Sequence, residues 1–337
     1  MELLVILKFL FLFLFSFTSV SAVPSSSQYI IATASTGGTF YPIGVSIATL
    51  LSMKMSEKDN MSFSAISSDG SFDNIKLLRK KEVHFAIVQG LAGMMAWEGT
   101  HLFKDKPQKE LRSISMLWKN VEHFMVKKTF APTGNIHDLK NLYGENFSIA
   151  ENNSGSKVSA EILMDALGID YRKMHLQYLG YNQSSVALKQ GKIDGMNTPA
   201  GAPVSAVSSV YNDLGPLKVT LLEFSDEDLY IIQKEYPIWS RYIIKAHTYP
   251  RQTKDIHTIA QPNLIVTHVD TPEEVVYLLI KTMYENLSFL NSVNKGTLSL
   301  SLENGIDGLN IPLHKGAIRF YQEMGIKIPA HLHSITP

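Results

Sequence analysis

Along this chain the spacing of apolar positions switches repeatedly between two periods. Short β-prone runs alternate with stretches whose apolar residues recur every three or four positions. Residues 29–33 (YIIAT) are apolar and β-prone and predict a buried strand. Residues 34–41 (ASTGGTFY) carry small side chains, hydroxyls and paired glycines. Pro42 suits the first turn of a helix, where a missing N–H costs nothing. Ile43, Ile47, Leu50 and Leu51 then fall on one helical face. Residues 61–66 alternate as a strand, and SSDGSFDN leads into a helix with Ile75, Leu77 and Leu78, capped by Asp69 or Ser71. A strand over residues 83–88 ends at Gln89-Gly90.

The same order recurs further on. Phe147 opens FSIAENNSGSKVSAEILMDALG, which reads as strand, Ser/Gly loop and helix, with Gly168 suited to the residue after the C-cap. VALKQGKIDGMNT from Val186 repeats the later helix end, polar turn, strand and polar loop. Alternating β and α elements imply mostly parallel sheets with helices on both faces, and two copies imply two α/β lobes. Ligands of such sheets bind beyond the carboxyl ends of the strands. Loops 35–41, 67–74 and Gln89 are therefore expected to form one wall of a cleft, and loops 152–157 and 198–201 the other. Residues 113–126 and 258–267 are the expected crossovers. The expected layout is a targeting segment at 1–22, the first part of lobe 1 at 28–122, lobe 2 at 123–261 and the return to lobe 1 at 262–337.

A strand, a Gly/Ser/Thr loop and a helix N-terminus make an anion cradle, because first-turn N–H groups are free and the helix dipole favours negative charge there. Alone, such a loop is equally well an ordinary βα turn. It is neither a dinucleotide fingerprint, since G-x-G-x-x-G is absent, nor a P-loop, since no Gly-Lys-Ser/Thr closes it.

The stretch STGGTFYP closely resembles the opening of the TAXI family of TRAP-transporter solute-binding proteins, with Phe40 where Tyr is common and Ala32 and Ala34 where Gly is common. The stretch GLNIPLHKGAIRFYQEMG from Gly308 is similar to that family's near-terminal signature, with Lys315 in place of a frequent Pro. The aromatic-rich residues 227–249 also resemble a family segment, and the likeness runs from about Tyr29 to Pro329. It implies a two-lobed type II periplasmic-binding-protein fold, each lobe a mostly parallel sheet flanked by helices. It also implies an exported, non-enzymatic protein without a cofactor. Such a protein hands a small organic anion, a dicarboxylate or an amino acid such as glutamate or 2-oxoglutarate, to an ion-coupled membrane permease. A binding protein that feeds a sensor, and an enzyme on the same scaffold, are the competing readings.

Composition narrows these further. The 337 residues suffice for two lobes, and 45% hydrophobic against 18% charged residues is a globular balance. Lys+Arg and Asp+Glu are both 31, which argues against nucleic acid as a partner. With no cysteine there are no disulfides, thiolate metal sites or cysteine nucleophile. An apolar run from Phe9 to Phe17, followed by Val20-Ser21-Ala22, predicts a signal segment cleaved near Ala22, with an uncleaved N-terminal anchor as the alternative, and a soluble periplasmic product expected to be a monomer. H-E-x-x-H and G-x-S-x-G are absent.

The candidate ligand-binding residues follow from the loops. Ser35, Thr36, Gly38 and Thr39 supply donors and close backbone approach on the first wall. Tyr41 either lays its ring on the ligand or packs at the helix start. Ser68 and Asn74 either face the ligand or cap the helix. Gln89 is a long amide at the end of a buried strand and needs a partner. Ser154, Gly155 and Ser156 repeat the cradle on the second wall. Lys157 is the one cation among these loops, and is otherwise a solvated first-turn lysine. Thr198 and Gly201 complete the second wall. His314 is expected to make a structural hydrogen bond. His331 and His333 lie in a polar tail.

Overall fold

The computed structural model describes residues 27–293 and 295–333. The expected signal segment lies outside the described residues. Two sheets organise the chain. The first contains β1 (Ser27–Ala32), β2 (Met61–Ile66), β3 (Phe85–Gln89), β4 (Leu111–Val121), β10 (Ser240–Ile244) and β11 (Ile256–His268). The second contains β5 (Phe124–Lys127), β6 (Asn146–Ser148), β7 (His175–Gln177), β8 (Gly195–Asn197) and β9 (Val219–Leu221). The helices are α1 (Phe40–Met55), α2 (Ser71–Arg79), α3 (Gly90–Glu98), α4 (Gly155–Ala166), α5 (Tyr181–Lys189), α6 (Ser205–Leu214), α7 (Asp226–Gln233), α8 (Glu273–Glu285), α9 (Leu287–Val293) and α10 (Lys315–Glu323).

Both lobes repeat one arrangement. In the first sheet β1 pairs in parallel with β2 on one side and β3 on the other, and β11 runs antiparallel beside β3. In the second, β6 pairs in parallel with β7 and β8, and β5 runs antiparallel beside β8. Among the parallel strands the inner β3 and β8 are buried throughout, as strands covered on both faces must be, whereas β2 and β7 are partly open to solvent. The sequence repeat is thus a structural one, and the fold is a two-lobed α/β architecture.

The chain changes sheets within two residues. β4 ends at Val121 in the first sheet, and β5 begins at Phe124 in the second. Glu122 and His123 make the step. The return is less abrupt. β10 hydrogen-bonds to β11 in the first sheet, yet Ile244, Ile256 and Ala260 pack in one core with Val207, Val210 and Tyr211 of the second lobe. The long ladder of β11 with β4, from Ala260↔Val121 to His268↔Leu111, ties the two crossovers together.

Local chemistry explains most boundaries. α1 begins two residues before Pro42, which therefore sits inside the first turn, where no intrahelical N–H is needed. Ile43, Ile47, Leu50 and Leu51 form its buried face. Gly168 has φ +65° after α4, as the helix end requires. The start of α2 differs from expectation. Neither Asp69 nor Ser71 is the cap residue; Gly70 is, at φ +116° and ψ −152°, a conformation that glycine alone adopts without strain.

A closed cleft ringed by helix N-termini

The loops after the parallel strands of both lobes meet at one cavity of about 30 Å³. That is room for roughly two waters at ~10–15 Å³ each. α1, α2 and α4 begin at it, Gln89 immediately precedes α3, and Tyr181 is the first residue of α5. Five helix N-termini therefore converge on it from two lobes. Each carries N–H groups without intrahelical acceptors and a partial positive charge.

The first wall is built by the start of α1. Ser35, Gly38, Thr39 and Phe40 line the cavity. Gly38 lies against the Tyr181 ring: a Cβ here would sit 3.2 Å from its Cε2. Thr39 is buried, and its Oγ1 accepts a hydrogen bond from the Gly201 N–H of the other lobe at 3.2 Å. Gln89 is 2% exposed, its N–H donates to Ser71 Oγ at 3.0 Å, and its Oε1 has no partner.

The second wall is α4 with α5. Ser154 caps α4 by accepting from the Lys157 N–H at 3.1 Å, and its own hydroxyl donates to the Glu151 carbonyl at 2.6 Å. Ser156 and Tyr181 hydroxyls lie 2.7 Å apart, and Tyr181 donates to the Pro199 carbonyl at 2.6 Å. Burial pushes the Tyr181 phenol far above its ordinary range, so it stays a neutral donor. Gly155 abuts the Gln89 amide and Ser71 Oγ, leaving no space for a side chain.

The lobes are shut on one another. Asn182 Nδ2 donates to Thr36 Oγ1 at 3.3 Å, Asn153 Nδ2 to Asp69 at 3.1 Å, and Lys76 Nζ to Asn153 Oδ1 at 3.2 Å. Each bond joins one lobe to the other.

The remaining expected site residues lie elsewhere. Thr36 is used in the interlobe bond just described. Tyr41 is half-buried outside the cavity lining. Asn74 is fully buried beneath the site and donates to the Thr33 and Ile87 carbonyls at 2.6 and 2.7 Å, while Ser68 Oγ lies 2.6 Å from its Oδ1. Both polar groups brace the loops rather than face the cavity. Lys157 Nζ pairs with Glu161 at 2.8 Å, one turn along the same helix. Thr198 is buried, its N–H bonding the His123 carbonyl at 3.0 Å. Gly201 packs on Trp118, where a Cβ would come within 2.7 Å of the indole. His314 caps α10, accepting from the Gly316 N–H at 3.2 Å.

Loop 67–74 was expected in the first wall, yet Asp69, Gly70 and Ser71 were not singled out there, and Glu151 and Tyr181 were missed as cavity-lining residues. Each follows a parallel strand or opens a helix, so the rule that placed Ser35 and Ser154 could have reached them. No lysine or arginine lines the cavity among the described residues.

Solved structures share this architecture. MatC from Rhodopseudomonas palustris with bound malate aligns at a TM-score of 0.52 and 14% identity, covering 89% of this chain and 95% of its own. A protein of Bordetella bronchiseptica RB50 aligns at 0.51 and 12%, covering 93% of this chain and 86% of its own. The periplasmic aliphatic sulphonate binding protein SsuA of Escherichia coli is more distant, at 0.44 and 12% over 91% and 96%. At 14% and 12% identity the first two likenesses establish the fold alone. The family is set by the sequence itself: residues 31–325 match the profile of the NMT1-like family, and the chain belongs to that family.

Proposed function

We propose that this protein is an exported solute-binding protein that captures a small organic acid or amino acid by closing its two lobes, and delivers it to a membrane permease of the TRAP type. The observation that carries the proposal is the convergence of five helix N-termini from both lobes on one closed cavity. Such termini hold an anionic group without an arginine fork. The family membership and the two-lobed fold, shared with a protein solved with malate bound, support it. The TAXI-like motifs at 35–42 and 308–325 support the TRAP partner. No described helix is long and apolar enough to cross a membrane, so such delivery would need a separate permease.

The lobe boundaries are part of the proposal: 28–122, 123–261 and 262–337, with hinges at residues 122–123 and near 261. Closure about hinges buries ligand and completes contacts that the open form lacks. Small-angle scattering with and without an organic acid found by thermal-shift screening tests this. The expected result is a smaller radius of gyration and a raised melting temperature with ligand. A tight ligand that leaves the scattering curve unchanged would refute lobe closure.

A further inference from the structure

Glu122 stands at the step between the two sheets, after β4 ends at Val121 and before β5 begins at Phe124. The hinge therefore carries a carboxyl, in a residue only 1% exposed. Trp239 Nε1 donates to its Oε1 at 3.3 Å, while Oε2 has no partner. Around it stand Ser159 of α4 and Tyr181 of α5 from the second lobe, Gln261 of β11, and Trp239 from the segment before β10. None of these is cationic, and no described lysine or arginine pairs with it. Burial holds the Tyr181 phenol far above its ordinary range, so it is neutral. His123, next along the chain, bonds instead to the Val121 carbonyl and the Tyr249 hydroxyl, and burial lowers it to about 4. A carboxylate buried with no cation is strongly disfavoured, so the closed form holds the neutral acid. The same carboxyl is tied to the lobe movement. Gln261 accepts from the Leu91 N–H at the start of α3 at 2.9 Å and donates to Ser159 Oγ on α4 at 2.8 Å. α3 lies in the first lobe and α4 in the second, so opening the cleft parts one of these two bonds. It also draws α4 and α5 off Glu122 and admits water.

Resting on the lobe closure proposed above, we infer that Glu122 is a proton-operated latch at the hinge, taking up one proton as the cleft closes and giving it up to water as the cleft opens. In the closed form burial raises the carboxyl from 4.5 to about 8, with hydrogen bonds from Trp239, Ser159 and Gln261 opposing it in part. Open to water, it returns toward its ordinary value. The closed form has the higher value, so protonation favours closure. The closed-to-open ratio is greatest below about pH 4.5, falls about tenfold per pH unit as pH rises, and levels off above about 8. Acid thus favours capture and alkali favours release, at one carboxyl that touches no solute.

Small-angle scattering on the full chain, from about pH 5 to about pH 9, tests this without any added solute. The window lies above the range in which His123 and His314 titrate. The radius of gyration is expected to grow with pH along a one-proton curve. Glu122→Gln keeps the shape of the acid and cannot ionise, so its radius is expected to stay small at every pH, with the melting temperature at the acid end as the check on folding. Infrared spectra give a second reading: the C=O stretch of a protonated buried carboxyl should accompany the compact form and be missing from the variant. The series is then repeated with saturating malate, glutamate or 2-oxoglutarate, each of which, where it binds, should shift the curve to higher pH. A radius independent of pH in the wild type, or one that changes equally in Glu122→Gln, overturns the latch. If an organic acid still closes the cleft in that case, the solute-binding reading stands. If the radius answers neither to pH nor to any of the three acids, the closing cleft falls with the latch.

Discussion

Gly38 has no room for a side chain unless Tyr181 moves, and Tyr181 is held by Ser156 and the Pro199 carbonyl. Gly38→Val is therefore expected to abolish ligand binding in calorimetry, while the melting temperature without ligand changes little. Ser156→Ala removes one of the two hydroxyl contacts that fix the Tyr181 ring. A loss of ~1.4 kcal/mol, about tenfold in affinity, is expected. Wild-type affinity in both variants would remove this cavity as the ligand site. At this scale sequence and structure agree on residue type more than on role. Ser, Gly and Thr in loops after strands were readable as cradle residues. The pairing of Lys157 with Glu161 did carry a signal, since the two lie four positions apart on one helix. Asn74 has a polar side chain in a plausible loop, yet its amide is turned inward to two backbone carbonyls.

Elements carry the next level. Asn74, on the first turns of α2, binds the loop after β1 to the last residues of β3, and so holds two of the cavity's walls in register. Asn74→Ala removes two buried hydrogen bonds and is expected to cost about 3 kcal/mol of stability by chemical denaturation. An effect under about 0.5 kcal/mol would show that the brace is dispensable. The β4–β5 step holds Glu122, 1% exposed, with its Oε1 accepting from Trp239 Nε1 at 3.3 Å. Burial pushes its carboxyl up from 4.5 to about 8, so the folded protein keeps it protonated at neutral pH. The strand–loop–helix order of both lobes was legible from periodicity, whereas the crossover points were not fixed by it. The Gly70 cap was not, since several residues of SSDGS are acceptable caps and only the backbone path selects one.

The whole molecule combines these terms into a pH profile. Glu122 binds its proton more tightly folded than unfolded. Its stabilising contribution is complete below about pH 4.5 and is lost as pH rises to about 8. His123 and His314 are both buried, and burial lowers each from 6.5 to about 4. Their neutral forms are favoured in the fold, so their contribution is complete above about pH 6.5 and is lost as pH falls to about 4. Two histidines outweigh one carboxyl between about pH 4.5 and 6.5, and the carboxyl acts alone above that. Stability is expected to peak near pH 6.5, and each uncompensated proton gives a slope of ~1.4 kcal/mol per pH unit. Glu122→Gln should flatten the alkaline limb and leave the acidic limb intact. An unchanged alkaline limb in that variant would show that Glu122 is not its source.

The amino-acid sequence by itself determined the architecture. Periods of two and 3.6 select strands and helices wherever they occur, and a twice-repeated order of elements permits few packings other than two α/β lobes. The expectation of mostly parallel sheets is corrected, since β11 runs antiparallel beside β3 and β4, and β5 antiparallel beside β8 and β9, making both sheets mixed. It also determined the chemistry of the cradles, because Gly, Ser and Thr before a helix start are locally sufficient for one. Only the tertiary structure decided the charge of the cleft. Asp69 and Glu151 are 82 positions apart by their numbering, each in a loop unremarkable alone, and they share a cavity only because two lobes close on each other. The same holds for Tyr181 against Gly38 and Gln89 against Gly155. Contacts across a cleft leave no periodic trace in the sequence, since nothing local depends on them.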